Sequence, residues 1–259
     1  MDIPVIRRAH APLVFDDRPQ ARRIGLVVLA TDHTTEPDFA RMVAPRGIAV
    51  HTTRVAYANP TTAENLRRME PHLTTAAGLL LPDETLDAGC YSCTSASVFI
   101  ADAAVEAAIR AAKPGVPVVT PPGAARQALA ALGVRRLAVL TPYGETTTAP
   151  VARHFADHGF ALAGITCLGL DDDRVMARIA PRSLVEAARD TVTDTADGLF
   201  ISCTALRAAA VVPEIERAIG RPVVSSNLAS AWACRRLCGD DEAQPALGRL
   251  MALPLPEVP

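Results

Sequence analysis

The stretch GCYSCTS at residues 89–95 and its second copy, LFISCTA at residues 199–205, decide the fold. Each copy is a short apolar run that ends in Ser-Cys-Thr and leads directly into an alanine-rich helical pattern. In α/β sheets, ligands bind outside the carboxyl ends of the strands, where the next helix presents free backbone N–H groups. The sequence therefore predicts two strand-to-helix turns, one presenting Cys93 and the other Cys203.

The repeat extends beyond these two turns. RRIGLVVL at residues 22–29 has a counterpart in RRLAVL at residues 135–140, and PVVT at residues 117–120 has one in PVVS at residues 222–225. The copies keep the same order, which favours a duplicated α/β half. We expect two doubly wound domains related by a pseudo-twofold axis, each with a mainly parallel four-stranded sheet. The first half would comprise residues 1–118 plus 223–259 and the second residues 119–222, with the active site in the cleft between them.

The hydrophobic periodicity assigns the secondary structure. Strands are predicted at residues 24–30, 47–55, 87–92 and 116–119, and again at 137–140, 160–168, 198–201 and 223–225. The main helices are predicted at residues 96–112, 124–132, 183–195, 206–219 and 228–237, and the last of them returns to the first half. Residues 1–21 form an irregular arm on the surface or on a partner subunit, the tail from Gly239 is loosely ordered, and we expect a homo-oligomer.

Composition excludes several classes of protein. A chain of 259 residues that is 49% hydrophobic can bury a full core. A net charge of −2 without basic runs argues against a nucleic-acid partner. No apolar run approaches the roughly 20 residues needed to cross a bilayer, and the N-terminus lacks the apolar core of a signal peptide. We therefore expect a cytoplasmic protein with no membrane partner, whose six cysteines are thiols.

The sequence also argues against a cofactor or a metal. Lys113, the single lysine, lies in a turn signal, which disfavours pyridoxal phosphate enzymes and lysine-dependent aldolases. Glycine-rich nucleotide fingerprints and His-Glu-x-x-His are absent from the sequence. Cys234 and Cys238 lie four apart on one helix, but no pair with metal-ligand spacing complements them. A reaction without cofactor or metal is what these exclusions leave.

The cysteines differ in their expected roles. Cys90 and Cys167 lie inside strands, where a cysteine usually acts as a small buried hydrophobe. Cys93 and Cys203 stand at strand ends, where helix-end N–H groups would lower a thiol pKa from about 8.5 and favour the thiolate. A disulfide between them is an alternative, although it would cross the cleft and close the site.

Two facing cysteines suit two kinds of reaction. In a racemisation, a thiolate removes a proton from a carbon next to a carbonyl and the opposite thiol delivers one to the other face. In a cis–trans isomerisation, the thiolate adds to an activated double bond, rotation follows, and elimination gives the other isomer. Thr94, Ser95, Thr204 and nearby N–H groups would hold the oxygen that gains charge, with Tyr143 as a further donor. The competing class is a non-catalytic protein that holds a metabolite in the same cleft.

At these residues the chain resembles the Asp/Glu racemase superfamily. It is most similar to the branch that holds maleate cis–trans isomerases, arylmalonate decarboxylases and the ectoine-utilisation protein EutA. The segments ATDHTTEPDF, YANPTTAENLRRMEPHL, CYSCTSAS, AVLTPYGETT and FISCTALRAA resemble EutA in particular. The resemblance implies a two-domain pseudosymmetric fold, no cofactor, cleft cysteines at Cys93 and Cys203, and an oxyanion site at Thr94, Ser95 and Tyr143.

Two departures from that resemblance bear on the substrate. In the segment TDHTT, Asp32 precedes His33, and His33 falls where maleate isomerases have a carboxylate-binding asparagine. Asp173 falls where they carry an asparagine, so an acid replaces a neutral amide donor. The alternative for both acidic turns is plain helix capping. If they contact substrate, they disfavour a dicarboxylate and suit a zwitterion related to ectoine or 5-hydroxyectoine. In the resemblance, decarboxylases of this kind keep only the second cysteine and have glycine at the first, so two cysteines favour isomerisation or racemisation over decarboxylation.

Overall fold

The computed structural model describes residues 3–256 and contains two four-stranded sheets. The first sheet consists of β1 (Arg22–Leu29), β2 (Ile48–Val55), β3 (Ala88–Ser92) and β4 (Val118–Val119). The second consists of β5 (Arg136–Tyr143), β6 (Ala161–Leu170), β7 (Gly198–Ile201) and β8 (Val223–Ser225). Their orders are β2-β1-β3-β4 and β6-β5-β7-β8, and every pairing is parallel. The predicted pair of four-stranded α/β units is confirmed.

Helices connect the strands in both units. The α-helices are α1 (Thr35–Met42), α2 (Ala63–Arg67), α3 (Leu73–Gly78), α4 (Thr94–Ile100), α5 (Asp102–Ala112), α6 (Pro121–Ala131), α7 (Glu145–Asp157), α8 (Asp173–Met176), α9 (Pro181–Thr191), α10 (Val212–Ile219) and α11 (Ser226–Leu237). Short 3₁₀ helices lie at Ala44–Arg46, Glu70–His72, Pro245–Leu247 and Arg249–Ala252. None of the helices between residues 3 and 256 combines the length and the apolar character that crossing a bilayer requires.

Three helix starts differ from the predictions for local reasons. The helix predicted at residues 96–112 is two helices, because Ala101 turns the chain with φ 85°. Helix α6 begins at Pro121, three residues early, because the Thr120 side chain accepts a hydrogen bond from the Gly123 N–H and proline suits the first helical position. The helix predicted from residue 206 begins only at Val212, after a run of turns.

The buried core lies on both faces of the first sheet. Strand β1 is an uninterrupted apolar run that is buried along almost its whole length, as expected of a parallel strand covered on both faces. One cluster joins Leu26 and Cys90 to α1, α6, α11 and the whole second unit. The other cluster joins Val27 and Tyr91 to α2, α3, α4 and α5. The larger cluster therefore fuses the two units into one interior.

Helix α11 carries the chain from the second unit back to the first. The Ser225 side chain caps it by accepting from the Leu228 N–H, and eleven of its twelve residues are buried. It packs on β3, α1 and α6, so the predicted return of the last helix is confirmed. Strand β8 pairs with β7, although the predicted division placed residues 223–225 in the first half. The chain therefore crosses at Ser226, and the rest of that division stays a prediction.

The described part of the C-terminal segment packs on α11, so the prediction of a loosely ordered tail from Gly239 is wrong for these residues, and its last part, residues 257–259, lies outside the described residues. The Trp232 indole N–H donates to the Leu253 carbonyl at 2.8 Å, and the Arg236 guanidinium donates to the Met251 carbonyl at 3.0 Å. Leu250 and Met251 are fully buried. The prolines of this segment shape its turns without excluding its apolar side chains from the core.

Candidate active site

The two Ser-Cys-Thr turns meet at one cavity between the two units. Cys93 follows β3 directly and is the first residue before α4, and Cys203 lies two residues beyond β7. Their exposed fractions are only 5% and 7%, and both line the same cavity. The structure thus brings the two predicted cysteines, distant in sequence, to a single hollow.

Cys203 has a strained backbone that the sequence did not reveal. Its φ is +89°, a conformation that costs a residue other than glycine about 1–3 kcal/mol and persists only when its surroundings hold it. Those surroundings come from the first unit. The Thr204 hydroxyl donates to the Ser92 carbonyl at 3.1 Å, and the Thr34 hydroxyl donates to the Ala205 carbonyl at 2.7 Å. These bonds tie the two turns together across the cavity floor.

Only one of the two cysteines lies at the N-terminus of a helix, where backbone N–H groups were expected to favour the thiolate. Cys93 immediately precedes α4, as predicted, whereas residues 204–211 after Cys203 form turns and α10 starts later. The expected helix N-terminus at Cys203 is therefore wrong. The backbone N–H of Ala205 nevertheless acts to lower the pKa of Cys203, in opposition to burial.

Burial dominates the ionisation of both thiols. It raises the pKa of Cys93 from its ordinary 9.0 to about 12, against the Ala96 N–H and the Ser95 hydroxyl, which favour the thiolate. It raises the pKa of Cys203 from 9.0 to about 12, against the Ala205 N–H and the Tyr143 hydroxyl. The expected lowering of one pKa by N–H groups is thus outweighed by desolvation. Both cysteines are neutral thiols at neutral pH in the free protein.

Two carboxylates also line the cavity. Asp32 accepts from the N–H groups of Thr34 and Thr35 at 2.9 and 2.8 Å, and burial raises its pKa. Asp173 accepts from the Asn59 amide at 2.7 Å and from the Thr31 hydroxyl. Asp32 therefore closes the first turn of α1 and also faces the cavity, while its contact with a substrate stays a prediction. Among the described residues that line this cavity, none is a lysine or an arginine.

The predicted hydroxyl donors are all at the cavity, with different degrees of freedom. Thr94, Ser95, Tyr143 and Thr204 line it. The hydroxyls of Thr94 and Thr204 are engaged in bonds between the units, Thr94 with the Ser226 hydroxyl at 2.7 Å. Ser95 lies 3.9 Å from the Cys93 sulfur, and burial raises the pKa of Tyr143, which keeps its phenol a donor. Ser95 and Tyr143 are the hydroxyls placed to reach a ligand.

His33 lies outside the cavity, unlike the other predicted site residues. Its side chain is exposed and lines a neighbouring surface groove together with Arg174 and Arg178. The alternation of the chain explains this, because Asp32 turns inward to α1 and the next residue faces out. His33 therefore lies at the rim, and a contact with a ligand deep in the cavity does not follow from its position.

The roof of the cavity was missed by sequence reasoning. Tyr57 and Thr61 line it from the loop before α2, and the Tyr57 hydroxyl donates to Thr61 at 3.0 Å. Asn59 latches this loop to the second unit, where its amide also donates to Asp172 at 3.1 Å. The apolar lining is completed by Leu29, Leu66, Met176 and Ala205. The polar segment YANPTT, which begins one of the segments that resemble EutA, was the available signal.

Comparisons with known proteins place this geometry in a family. A profile described as arylmalonate decarboxylase matches residues 76–251, which is more than half of the chain. The chain belongs to the arylmalonate decarboxylase family. This assignment confirms the expected group of decarboxylases and maleate isomerases within the predicted resemblance.

Three relatives illustrate the range of the family. The arylmalonate decarboxylase of Bordetella bronchiseptica is 37% identical over 58% of this chain and 63% of its own length, so the match spans less than two thirds of that relative. The maleate isomerase of Pseudomonas putida is 23% identical over 90% of this chain and 98% of its own length. A cysteine-to-serine mutant of the Nocardia farcinica maleate cis–trans isomerase, with a covalently bound succinylcysteine intermediate, has a TM-score of 0.81 at 24% identity and covers 89% of this chain and 98% of that one. The predictions of an enzyme and of this α/β fold are confirmed.

Proposed function

We propose that the protein is a cofactor-independent two-cysteine isomerase or racemase that acts on a small zwitterion related to ectoine or 5-hydroxyectoine. The observation that carries the proposal is one cavity in which two thiols, Cys93 and Cys203, are accompanied by two carboxylates and by no lysine or arginine among its described lining residues. The similarity of several segments to EutA agrees with this substrate class. We also propose that the enzyme works in the cytoplasm, where six free thiols stay reduced.

Proton transfer across the cavity follows from the facing thiols. One sulfur, as thiolate, takes the proton from the carbon next to the substrate carbonyl, and the electron pair moves onto the carbonyl oxygen. Ser95 and Tyr143 donate hydrogen bonds to that oxygen while it carries charge. The opposite thiol then protonates the carbon on its other face and becomes the thiolate. The stereocentre is inverted, and the two sulfurs have exchanged their protonation states.

The charge of the cavity selects the substrate class. A dicarboxylate would place like charges beside Asp32 and Asp173, which is unfavourable in a buried site. A cationic group would be attracted to the same carboxylates, while Leu66 and Met176 offer apolar contacts to a compact carbon frame. The cation would also lower the pKa of a neighbouring thiol from about 12, since a nearby opposite charge favours the thiolate. Substrate binding would thus generate the catalytic base.

The rim of the cavity complements this arrangement. His33 and Arg178 line the outer groove, and neither lies in the buried part of the site. A positive Arg178 outside and carboxylates inside would orient a zwitterion with its cationic end inward and its carboxylate toward the mouth. In this proposal His33 contributes to capture of the substrate rather than to the chemical step.

Solvent-deuterium exchange tests the proposal. Ectoine and 5-hydroxyectoine are incubated with the enzyme in deuterated water, and incorporation at carbon is followed by NMR. We expect exchange with at least one compound, abolished by Cys93→Ala and by Cys203→Ala. Cys238→Ala, a change at a buried thiol outside the cavity, is the matched control and should retain exchange. Exchange that survives both cavity substitutions would exclude the two-cysteine mechanism, and exchange with neither compound would exclude this substrate class.

A second candidate is favoured by the relatives themselves. Their names are maleate isomerase and arylmalonate decarboxylase, and one maleate isomerase carries a covalent succinylcysteine intermediate. Addition of a cavity thiolate to a double bond, rotation and elimination would use the same two sulfurs here. Rapid conversion of maleate to fumarate would favour the isomerase alternative, and loss of one carbon from an arylmalonate would favour the decarboxylase alternative. Binding of a metabolite without any turnover would leave the non-catalytic class.

A further inference from the structure

The N-terminal arm exposes apolar side chains without a partner. Residues 3–21 contain no helix and no strand, and Arg18 fixes their base by donating to the Thr85 hydroxyl and lying 3.6 Å from Asp87. The described residues expose nine large hydrophobic side chains, and six of these are in the arm. They are Ile3, Val5, Ile6, Leu13, Val14 and Phe15, with exposed fractions from 75% to 92%. Such a concentration marks a segment that is buried by association.

A groove lies along the open edge of the first sheet. It is lined by residues of β4, α5, α6, α11 and the C-terminal segment. Its apolar lining includes Val118, Ala124, Leu237 and Leu255. Because the Pro117 carbonyl accepts from Gly89 in β3, strand alternation directs the N–H and C=O of Val118 away from β3 and into the groove. An extended peptide placed there would meet both an apolar floor and free strand hydrogen-bonding groups.

The equivalent edge of the second sheet is covered by other residues of the chain, whereas the described residues leave the edge at β4 open. Strand β8 occupies the position that corresponds to β4, since the two sheets share one strand order. There Glu216 accepts from the Val223 N–H and from the Arg249 N–H, each at 3.1 Å. Leu250 and Met251 are fully buried in the segment that follows. An outermost strand without such a cover is open to pairing with another chain.

We propose that residues 13–15 of a second copy lie along β4 in this groove, and that two copies exchange arms reciprocally. Within one chain, none of the described arm residues 3–21 lines the groove, while the arm has exposed apolar side chains and the groove has an apolar floor. Arm residues 3–17 and the fifteen groove residues amount to about 30 residues from each copy, which matches the 20–30 residues a side of a standard stable interface. Neither surface carries a net charge that would repel the other, because Arg7 and Arg8 offset Asp16 and Asp17 on the arm. At the groove, Arg126 pairs with Asp102 and Arg110 pairs with Glu106.

Photo-cross-linking tests where the arm goes. A benzophenone amino acid replaces Phe15, isotopically labelled and unlabelled copies are mixed, and cross-linked peptides are identified by mass spectrometry. We expect links between labelled and unlabelled chains at residues 117–127 or 253–256. Light scattering after size exclusion should give a dimer for the full chain and a monomer for a chain that lacks residues 2–17. Leu13→Ser with Phe15→Ser should also dissociate the dimer, while Leu79→Ser, a change at an exposed apolar side chain elsewhere, should not.

Each other outcome overturns the proposal. A monomeric full chain excludes arm exchange, and so does a cross-link confined to a single chain or placed on another surface. A dimer that persists without the arm excludes it as well. Neither the described arm residues nor the groove residues line the cavity of the two cysteines. Failure of the arm-exchange proposal would therefore not count against the proposed isomerase function.

Discussion

The ionisation of the two cavity thiols gives a quantitative prediction. Raising the pH of the free enzyme should increase the rate at which Cys93 and Cys203 react with a small uncharged thiol reagent. The rate should keep rising above a pH of about 9, where the rate for an ordinary cysteine becomes constant. The reason is that burial, opposed only by a backbone N–H and a hydroxyl at each sulfur, raises both pKa values to about 12. A thiol reagent reports on the thiolate alone.

The magnitude follows from the shift. A rise from 9.0 to about 12 disfavours each thiolate by about 4 kcal/mol and lowers its population about a thousandfold at a given pH below 9. The logarithm of the modification rate should therefore climb by about one per pH unit through and beyond a pH of about 9. The same shifts act on stability. Because the folded pKa lies above the unfolded one, each thiol stabilises the fold below pH 9, and that contribution is lost as the pH rises toward 12.

The assay resolves the two cysteines by peptide mass spectrometry after timed modification with methyl methanethiosulfonate. Cys93→Ala isolates Cys203, and Cys203→Ala isolates Cys93. Free cysteine, with a pKa of about 8.5, provides the reference that levels off. A plateau for either cavity cysteine at or below a pH of about 9 would refute the reasoning, since it would mean that the N–H donors prevail over desolvation. A bound cationic substrate should accelerate modification of any thiol that it leaves exposed.

Three further predictions concern specificity, stability and the roof. Asp173→Asn keeps the shape of the side chain and removes its charge. KM for a zwitterion, measured by steady-state kinetics, should rise about 10- to 100-fold, and the affinity for maleate, measured by calorimetry, should increase. An unchanged KM together with an unchanged affinity would exclude selection by charge. Asp240→Ala leaves the fully buried Arg235 without its carboxylate partner and should lower the free energy of unfolding in urea by about 3–5 kcal/mol. Glu242→Ala, which removes an exposed carboxylate that pairs with Arg46, should lower it by less than about 1 kcal/mol. Equal losses would contradict the idea that the buried ion pair is the more important one. Asn59→Ala removes the latch of the roof and should raise KM about tenfold with an unchanged unfolding midpoint; a fall in stability with an unchanged KM would make the loop structural only.

Most of the fold could be predicted from the internal repeat of the sequence. Uninterrupted apolar runs such as β1 require cover on both faces, and their alternation with helical patterns leaves a parallel sheet as the consistent arrangement. The Ser-Cys-Thr copies then located Cys93 and Cys203 at equivalent strand ends, and the carboxyl ends of parallel strands lie at one edge. Because the two strands belong to different sheets, the meeting of the cysteines at one cavity depends also on how the two units face each other.

The remaining features depend on contacts distant in sequence. The positive φ of Cys203 is held by hydrogen bonds from Thr34 and Thr204 to the opposite unit, and nothing local indicates it. The outward position of His33 follows from the turn that Asp32 makes at the start of α1. The high thiol pKa values reflect burial, which a strand-to-helix pattern does not quantify. The local sequence pattern predicts where a strand or helix ends, but it does not predict how deeply that end is buried by the rest of the fold.

The two helices that follow the outermost strands each cross to the other unit. Helix α6 leaves β4 of the first sheet and packs against β8 of the second, while α11 leaves β8 and packs against β3 of the first. Each unit therefore contributes a helix to the hydrophobic interior of the other. A unit separated at the linker would expose apolar side chains that the crossing helix now covers, so we expect the two walls of the cavity to fold together rather than independently.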